Sequence, residues 1–275
     1  MKYSDMRVVL TGATGGIGRE LARLLIARGA TVLLVARDKQ RLSKLSRHFG
    51  NNAGFAAADI TTTDGLDCIV EAATNHFDSG VNVVINNAGT NHFGPFMTER
   101  QSDIEAVLAT NIVAPMLLTQ RLIPMLKQQK AATVLNIGSI LGSIGLPGQV
   151  SYSTSKFALH GFTESLRREL QGSSVRVLYA APRATDTPMN SAAMRRLNEK
   201  TGVRTDEPAL VASRIAKQLE SCDPEQFIGW PERLFVKINA LFPALVDRGS
   251  RKSAQIVHEG LPATNSITTT HGANP

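Results

Sequence analysis

Short apolar runs rich in β-branched residues recur along the chain at 8–10, 32–36, 54–58, 81–86, 133–137 and 175–179, and amphipathic stretches fill the gaps. Strands joined through roughly 10 to 25 helical residues cannot pair as tight hairpins; they need crossover connections and a parallel sheet covered by helices on both faces. The runs VNVVIN and RVVL are almost continuously apolar, as burial on two faces demands. The expected fold is therefore α/β, a doubly wound parallel sheet of the Rossmann type in three layers, α/β/α. A helix over 17–27 sets Ile17, Leu21, Leu24 and Leu25 on one side, and Gly29 ends it. With 275 residues, no repeat and no linker, one domain is expected over 1–252, followed by a mobile tail over 253–275.

The sequence contains no run of about 18 uncharged apolar residues, and the polar start MKYSDMR has no apolar export core, so a cytoplasmic protein is expected. Cys68 and Cys222 are too few and too far apart for a disulfide framework or a Cys-rich zinc site, and no metal is expected. The net charge of +7 favours anions. Its cations are scattered through predicted helices without a helix-turn-helix or zinc-finger signature. They suit solvated helix faces and a phosphate-bearing cofactor rather than nucleic acid.

Between the first strand and first helix lies Thr11-Gly12-Ala13-Thr14-Gly15-Gly16-Ile17-Gly18. Glycines in such a turn bring backbone amides against a pyrophosphate, and the helix N-terminus adds partial positive charge. The second strand ends Val35-Ala36-Arg37-Asp38. A carboxylate for a ribose 2′-hydroxyl is missing at Ala36, and the Arg37 guanidinium suits a 2′-phosphate, which favours NADP(H) over NAD(H). The alternative is that Arg37 is a solvated cation and Asp38 caps the next helix. Asp59 and Ile60 are placed for the adenine edge, although Asp59 could equally cap a helix. Asn86-Asn87-Ala88-Gly89 follows the fourth strand, where small residues let a flat ring or ribose approach the backbone.

Ser139 follows the fifth strand, with Tyr152 and Lys156 beyond it at i and i+4 on a helix over 150–171. That spacing projects both side chains from one face, where an ammonium is expected to lower the phenol pKa. Together, TGxxxGIG at 11–18, NNAG at 86–89, Asn111, Ser139, YxxxK at 152–156, Pro182 and Thr187 resemble the short-chain dehydrogenase/reductase family in order and spacing over about 180 residues. The resemblance implies that Tyr152 exchanges a proton with a carbonyl oxygen as a nicotinamide delivers hydride. By the same resemblance Lys156 bonds the nicotinamide ribose and Ser139 orients the carbonyl. Asn111, in a long helix over 99–129 opened by Pro115, holds a relay water. Gly12, Thr14, Gly15, Gly16, Ile17, Gly18, Asn87, Ala88, Gly89, Pro182, Thr185 and Thr187 line the cofactor, and association into a homodimer or homotetramer is implied.

Two positions depart from the family pattern. Arg183 stands where glycine is common, and it either lines the substrate mouth or pairs with a nearby acid. Gly15 stands where NADP enzymes often carry a cation, leaving Arg37 as the 2′-phosphate candidate. The segment 187–205 corresponds to a substrate lid in which Met189 and Met194 face Leu146 from the loop after Ser139, a setting for a lipophilic carbonyl. An amphipathic helix is expected over 230–248, with basic residues continuing to 252. Packing onto the domain or a second subunit ranks first among its uses, covering the substrate second, and lying on an anionic membrane third. The expected function is reduction of a ketone or aldehyde, first a 3-oxoacyl thioester or other lipophilic carbonyl. The alternatives are an NAD-preferring alcohol or steroid-type dehydrogenase and a non-catalytic dinucleotide sensor.

Overall fold

A computed structural model of the chain describes residues 1–259. Seven strands form one sheet: β1 (Arg7–Thr11), β2 (Thr31–Ala36), β3 (Ala53–Ala57), β4 (Val83–Asn86), β5 (Ala132–Ile137), β6 (Val175–Pro182) and β7 (Glu225–Ile228). Their order is β3-β2-β1-β4-β5-β6-β7, and every pairing is parallel. The crossovers are α1 (Gly16–Ala27), α2 (Lys39–Phe49), α3 (Thr63–His76), α4 (Gln101–Leu108) with α5 (Ala114–Lys127), α6 (Val150–Glu169), and α7 (Ala192–Thr201) with α8 (Pro208–Ser221). The chain then continues as α9 (Glu232–Leu241), α10 (Pro243–Gly249) and α11 (Arg251–Glu259).

Alternate side chains of β1 and β2 feed two cores. Val8, Leu10 and Leu34 pack with Leu21 and Leu25 of α1 and Val211, Ile215 and Leu219 of α8. Val9 and Leu33 pack on the other face with Leu66 and Ile69 of α3 and Leu118, Leu122 and Leu126 of α5. The doubly wound expectation holds because each strand is buried on both faces. The stretch Gln101–Lys127 is long and apolar enough by composition to cross a membrane. Here it is the helix that covers the centre of the sheet.

Three predicted helical boundaries are corrected. The helix expected over 99–129 is interrupted by a π-helical turn, Ala109–Val113, because Pro115 supplies no amide to the Asn111 carbonyl. The helix expected over 230–248 divides at Phe242, whose extended φ of −138° satisfies the steric demand of Pro243. The tail expected from 253 begins instead with α11, and Val257 is buried at Gly148 and Phe93. The remainder of that tail, 260–275, lies outside the described residues.

A polar ladder crosses the buried centre of the sheet. Asn86 and Asn136 are register partners on β4 and β5. Asn86 Nδ2 donates to Asn136 Oδ1 at 2.7 Å and to Thr119 Oγ1 at 3.0 Å. Asn136 Nδ2 donates to Thr163 Oγ1 at 2.9 Å. The ladder thereby ties α5 and α6 to the strands that carry the site. Replacing Asn136 with leucine strips two buried partners at once, and urea unfolding is expected to record a loss of about 2–3 kcal/mol. A loss below about 0.5 kcal/mol would show that packing alone holds these elements together.

Candidate active site

The sheet reverses its winding between β1 and β4, which opens a crevice beyond their C-terminal ends. The Gly-rich turn and the NNAG segment meet there. Thr11 Oγ1 accepts from the backbone amides of Asn87 and Ala88, both at 3.0 Å, while Asn87 Nδ2 donates to the carbonyls of Thr11 and Gly12. Gly12 has φ +66°, and a Cβ there would stand 2.8 Å from Ala88 Cα, so only glycine fits. The N-terminus of α1 has Gly15 at its cap and no side-chain cap bond, which leaves its first amides directed into the crevice. Thr187 lies over this turn: a Cβ at Gly16 would meet its Cγ2 at 2.8 Å. The uncapped helix end and the small residues Ala88 and Gly89 fit a pyrophosphate with a flat ring beside it. Ala13 and Ile17 pack toward the core, while Thr14, Gly15 and Gly16 remain at the surface of the turn.

Arg37 is exposed at the end of β2 and has no carboxylate within ion-pair distance among the described residues. Asp38 is engaged elsewhere, capping α2 through the Arg41 amide at 2.9 Å. Asp59 accepts from the backbone amide and hydroxyl of Thr61, and these two bonds hold its carboxyl below the usual range. It shapes the turn before α3, whose cap is Thr62. Ile60 differs from expectation: its side chain is buried in the core cluster with Ala58 and Leu66, and does not face the crevice.

The residues expected to react stand just after β5 and in the first turns of α6. Ser139 caps the short turn Ile140–Gly142, its Oγ accepting from the Leu141 amide at 3.1 Å, and its hydroxyl lies near enough to Tyr152 to favour the phenolate slightly. Lys156 is buried, its Nζ donating to the Ile137 carbonyl at 3.0 Å and lying 5.6 Å from the Tyr152 ring centroid. A Cβ at Gly89 would stand 3.3 Å from Asn111 Oδ1, 3.7 Å from Met189 Cε and 3.8 Å from Lys156 Nζ, so these groups converge on one small residue. Asn111 is buried within the π-turn, exchanging hydrogen bonds with the backbone of Thr90 and donating to Ser155 Oγ at 3.0 Å. Its side chain is thus committed to the loop after NNAG, and its carbonyl is the group left without a helical donor by Pro115.

The expected depression of the Tyr152 pKa is not found. Burial pushes the phenol up to about 12, only partly offset by the nearby Ser139 hydroxyl, and burial brings Lys156 down to about 8. The ammonium is bonded to a carbonyl and faces the ring, so desolvation outweighs its attraction for a phenolate.

The lid side departs further. Arg183 pairs with Asp206, Nε to Oδ2 at 3.0 Å and Nη2 to Oδ1 at 2.6 Å, and its Nη1 also reaches Glu232 and the Trp230 carbonyl. Of the two roles left open for it, pairing with an acid is the one present, and the guanidinium has no free edge for substrate. Met194 is buried with Sδ against Gln149 Nε2, and so belongs to the packing of α7. Met189 remains exposed. Leu146, with Pro147, Val150 and Phe157, borders a cavity of about 520 Å³. Pro182 is buried at the end of β6, and Thr185 bridges to Asp206 while its carbonyl accepts from Asn190.

The family model described as short chain dehydrogenase matches residues 6–198. The chain belongs to that family. It is 29% identical over 237 residues to 3-oxoacyl-[acyl-carrier-protein] reductase of Vibrio cholerae, covering 86% of this chain and 94% of that one. A solved 3-ketoacyl-(acyl-carrier-protein) reductase from Brucella melitensis, complexed with NADH, superposes with TM-score 0.75 at 26% identity, covering 82% of this chain and 97% of that one. A short chain dehydrogenase from Burkholderia cenocepacia in complex with NADP gives TM-score 0.77 at 24% identity, covering 91% of this chain and 99% of that one, and shares the fold.

Sequence reasoning missed Tyr179. This fully buried β6 residue has its hydroxyl 3.4 Å from the Ser139 carbonyl, and its ring occupies the space that a side chain at Gly138 would need. His160 stacks on it at 4.3 Å and is itself held by Glu225. The only sequence signal was a lone tyrosine in an apolar strand facing the glycine before Ser139. In the cofactor-free protein, the Lys156 amine is expected to titrate near 8, an ammonium below and a free amine above, in spectra of lysine labelled with nitrogen-15. Titration above about 10 would mean that water reaches the amine.

Proposed function

We propose that this oxidoreductase reduces a ketone or aldehyde with NADP(H), using Tyr152 as the proton donor. The observation that carries the reading is the Tyr152–Lys156 pair beside Ser139 at the mouth of an uncapped phosphate-binding turn. A bound nicotinamide dinucleotide supplies or accepts the hydride. Tyr152, kept protonated by burial across the neutral range, passes its proton to the carbonyl oxygen as the carbon is reduced. Ser139 fixes that oxygen, its hydroxyl already held by the Leu141 amide. Lys156 then returns a proton to the phenolate, and it is the group whose protonation limits the supply as pH rises through about 8.

A 3-oxoacyl thioester or another lipophilic carbonyl is the proposed substrate class. Support comes from the Vibrio cholerae and Brucella melitensis relatives and from the apolar surroundings of Leu146. The preference for NADP(H) rests on Arg37, which forms no ion pair among the described residues, with alanine before it at the strand end. Association of two copies is supported by the exposed apolar residues Val113, Met116 and Leu117 at the start of α5.

Oxidation of NADPH over a panel of ketones and 3-oxoacyl thioesters tests the chemistry. Tyr152→Phe is expected to lower kcat by about 10²–10⁴ with little change in nucleotide affinity. Turnover surviving in that variant would remove Tyr152 from the reaction. Arg37→Ala should weaken NADPH binding by roughly ten-fold and leave NADH binding unchanged, and equal effects on both would reverse the assigned preference.

A further inference from the structure

The C-terminal helices bear on the protein with one side only. Asn239 Nδ2 donates to the Ser143 carbonyl at 2.9 Å, which seats α9 on the loop after Ser139. Val257 seats α11 against Gly148. Trp230 is exposed, and the first two of these helices leave Leu234, Phe235, Leu241, Phe242 and Leu245 exposed with it, Leu241 at 72%. Six large apolar groups within sixteen residues make a patch of the kind that soluble monomers rarely leave to water.

Its rim is basic. Arg233, Lys237, Arg248, Arg251 and Lys252 are exposed, and none is within ion-pair distance of a carboxylate among the described residues. Arg233 stacks on Trp230 at 5.2 Å. Two acids interrupt the stretch: Glu232 is held by Arg183, leaving Asp247. An apolar strip rimmed by cations, with an aromatic at its edge, matches the layered chemistry of an anionic bilayer surface, with acyl chains beneath and phosphates around.

We propose that α9 and α10 dock this protein peripherally on an anionic lipid bilayer. Two other occupants lack the complementary charge. A second copy related by a twofold would bring two sets of five cations together. The segment 260–275 contains no acid, and only Leu261 and Ile267 as large apolar residues, too little to match six. Docking on this face leaves α9 between the lipid and the loop after Ser139, on which it rests. The proposal stands on the surface alone and does not depend on the substrate assigned above.

Sedimentation of the full chain with vesicles tests it, using pure phosphatidylcholine and an equal mixture of phosphatidylcholine and phosphatidylglycerol. Binding to the mixed vesicles is expected to be roughly ten-fold tighter or more, and to weaken as salt is raised to about 0.5 M. Leu241→Glu with Phe242→Glu should abolish binding while thermal unfolding, NADPH affinity and gel-filtration mass stay unchanged. Absence of binding by the parent chain, equal binding to both vesicles, or binding that survives the double substitution would overturn the proposal. So would a change of solution mass in the double variant, which would assign the face to a second copy.

Discussion

The hydroxyl of Thr11 stands at the seam where the sheet changes its direction of winding, and the site depends on that seam being closed at the right height. By accepting two amides from the segment after β4, it draws Asn87 and Ala88 against the end of β1. Asn87 returns the contact by donating to the first two carbonyls of the Gly-rich turn. The phosphate-binding turn and the small residues beside the reacting groups are therefore one hydrogen-bonded unit. A parallel sheet alone opens a crevice at a switch point. The side chains across this seam give that crevice its floor.

The same logic extends outward through buried polar groups, each of which must find a partner in a dry interior. Asn86 donates to Asn136 across the sheet, and the two amides reach threonines on α5 and α6. Asn111 clamps the loop after Gly89 from within the π-turn and reaches Ser155 on the helix that holds Tyr152 and Lys156. Asymmetric bonds of this kind resist sliding of α6 along the sheet, which apolar packing tolerates more easily. The helix that carries Tyr152 and Lys156 is thus registered to β5 by hydrogen bonds as well as by volume.

Much of this was legible in the chain. Strand and helix periods gave the doubly wound sheet, and the YxxxK spacing placed both reacting side chains on one helical face. Family motifs pointed to Asn111 and Ser139. Three things were not legible, each because it depends on tertiary distance. The pKa of Tyr152 follows from how dry the pocket is and where the Lys156 ammonium is anchored, neither of which a spacing reveals. Ile60 and Met194 fell inside the core, since an apolar side chain beside a cleft reads like one within it. The role of Arg183 depended on Asp206, 23 residues away, lying next to it.

That last pairing also explains how a lid can coexist with a rigid site. Arg183 and Asp206 are almost fully enclosed, and their bidentate bond joins the two ends of the lid, assisted by the bridge from Thr185 to Asp206. Glu232 at the start of α9 contacts the same guanidinium. A buried charge pair holds its geometry more firmly than its net stabilisation suggests, because separating the partners leaves each charge uncompensated. The segment carrying Met189 and α7 is thereby fastened at both ends. Between those ends, Met189 approaches Gly89 beside Asn111 and Lys156, and Thr187 lies over the Gly-rich turn. Arginine in place of the family's usual glycine thereby couples the lid's hinge to the first C-terminal helix.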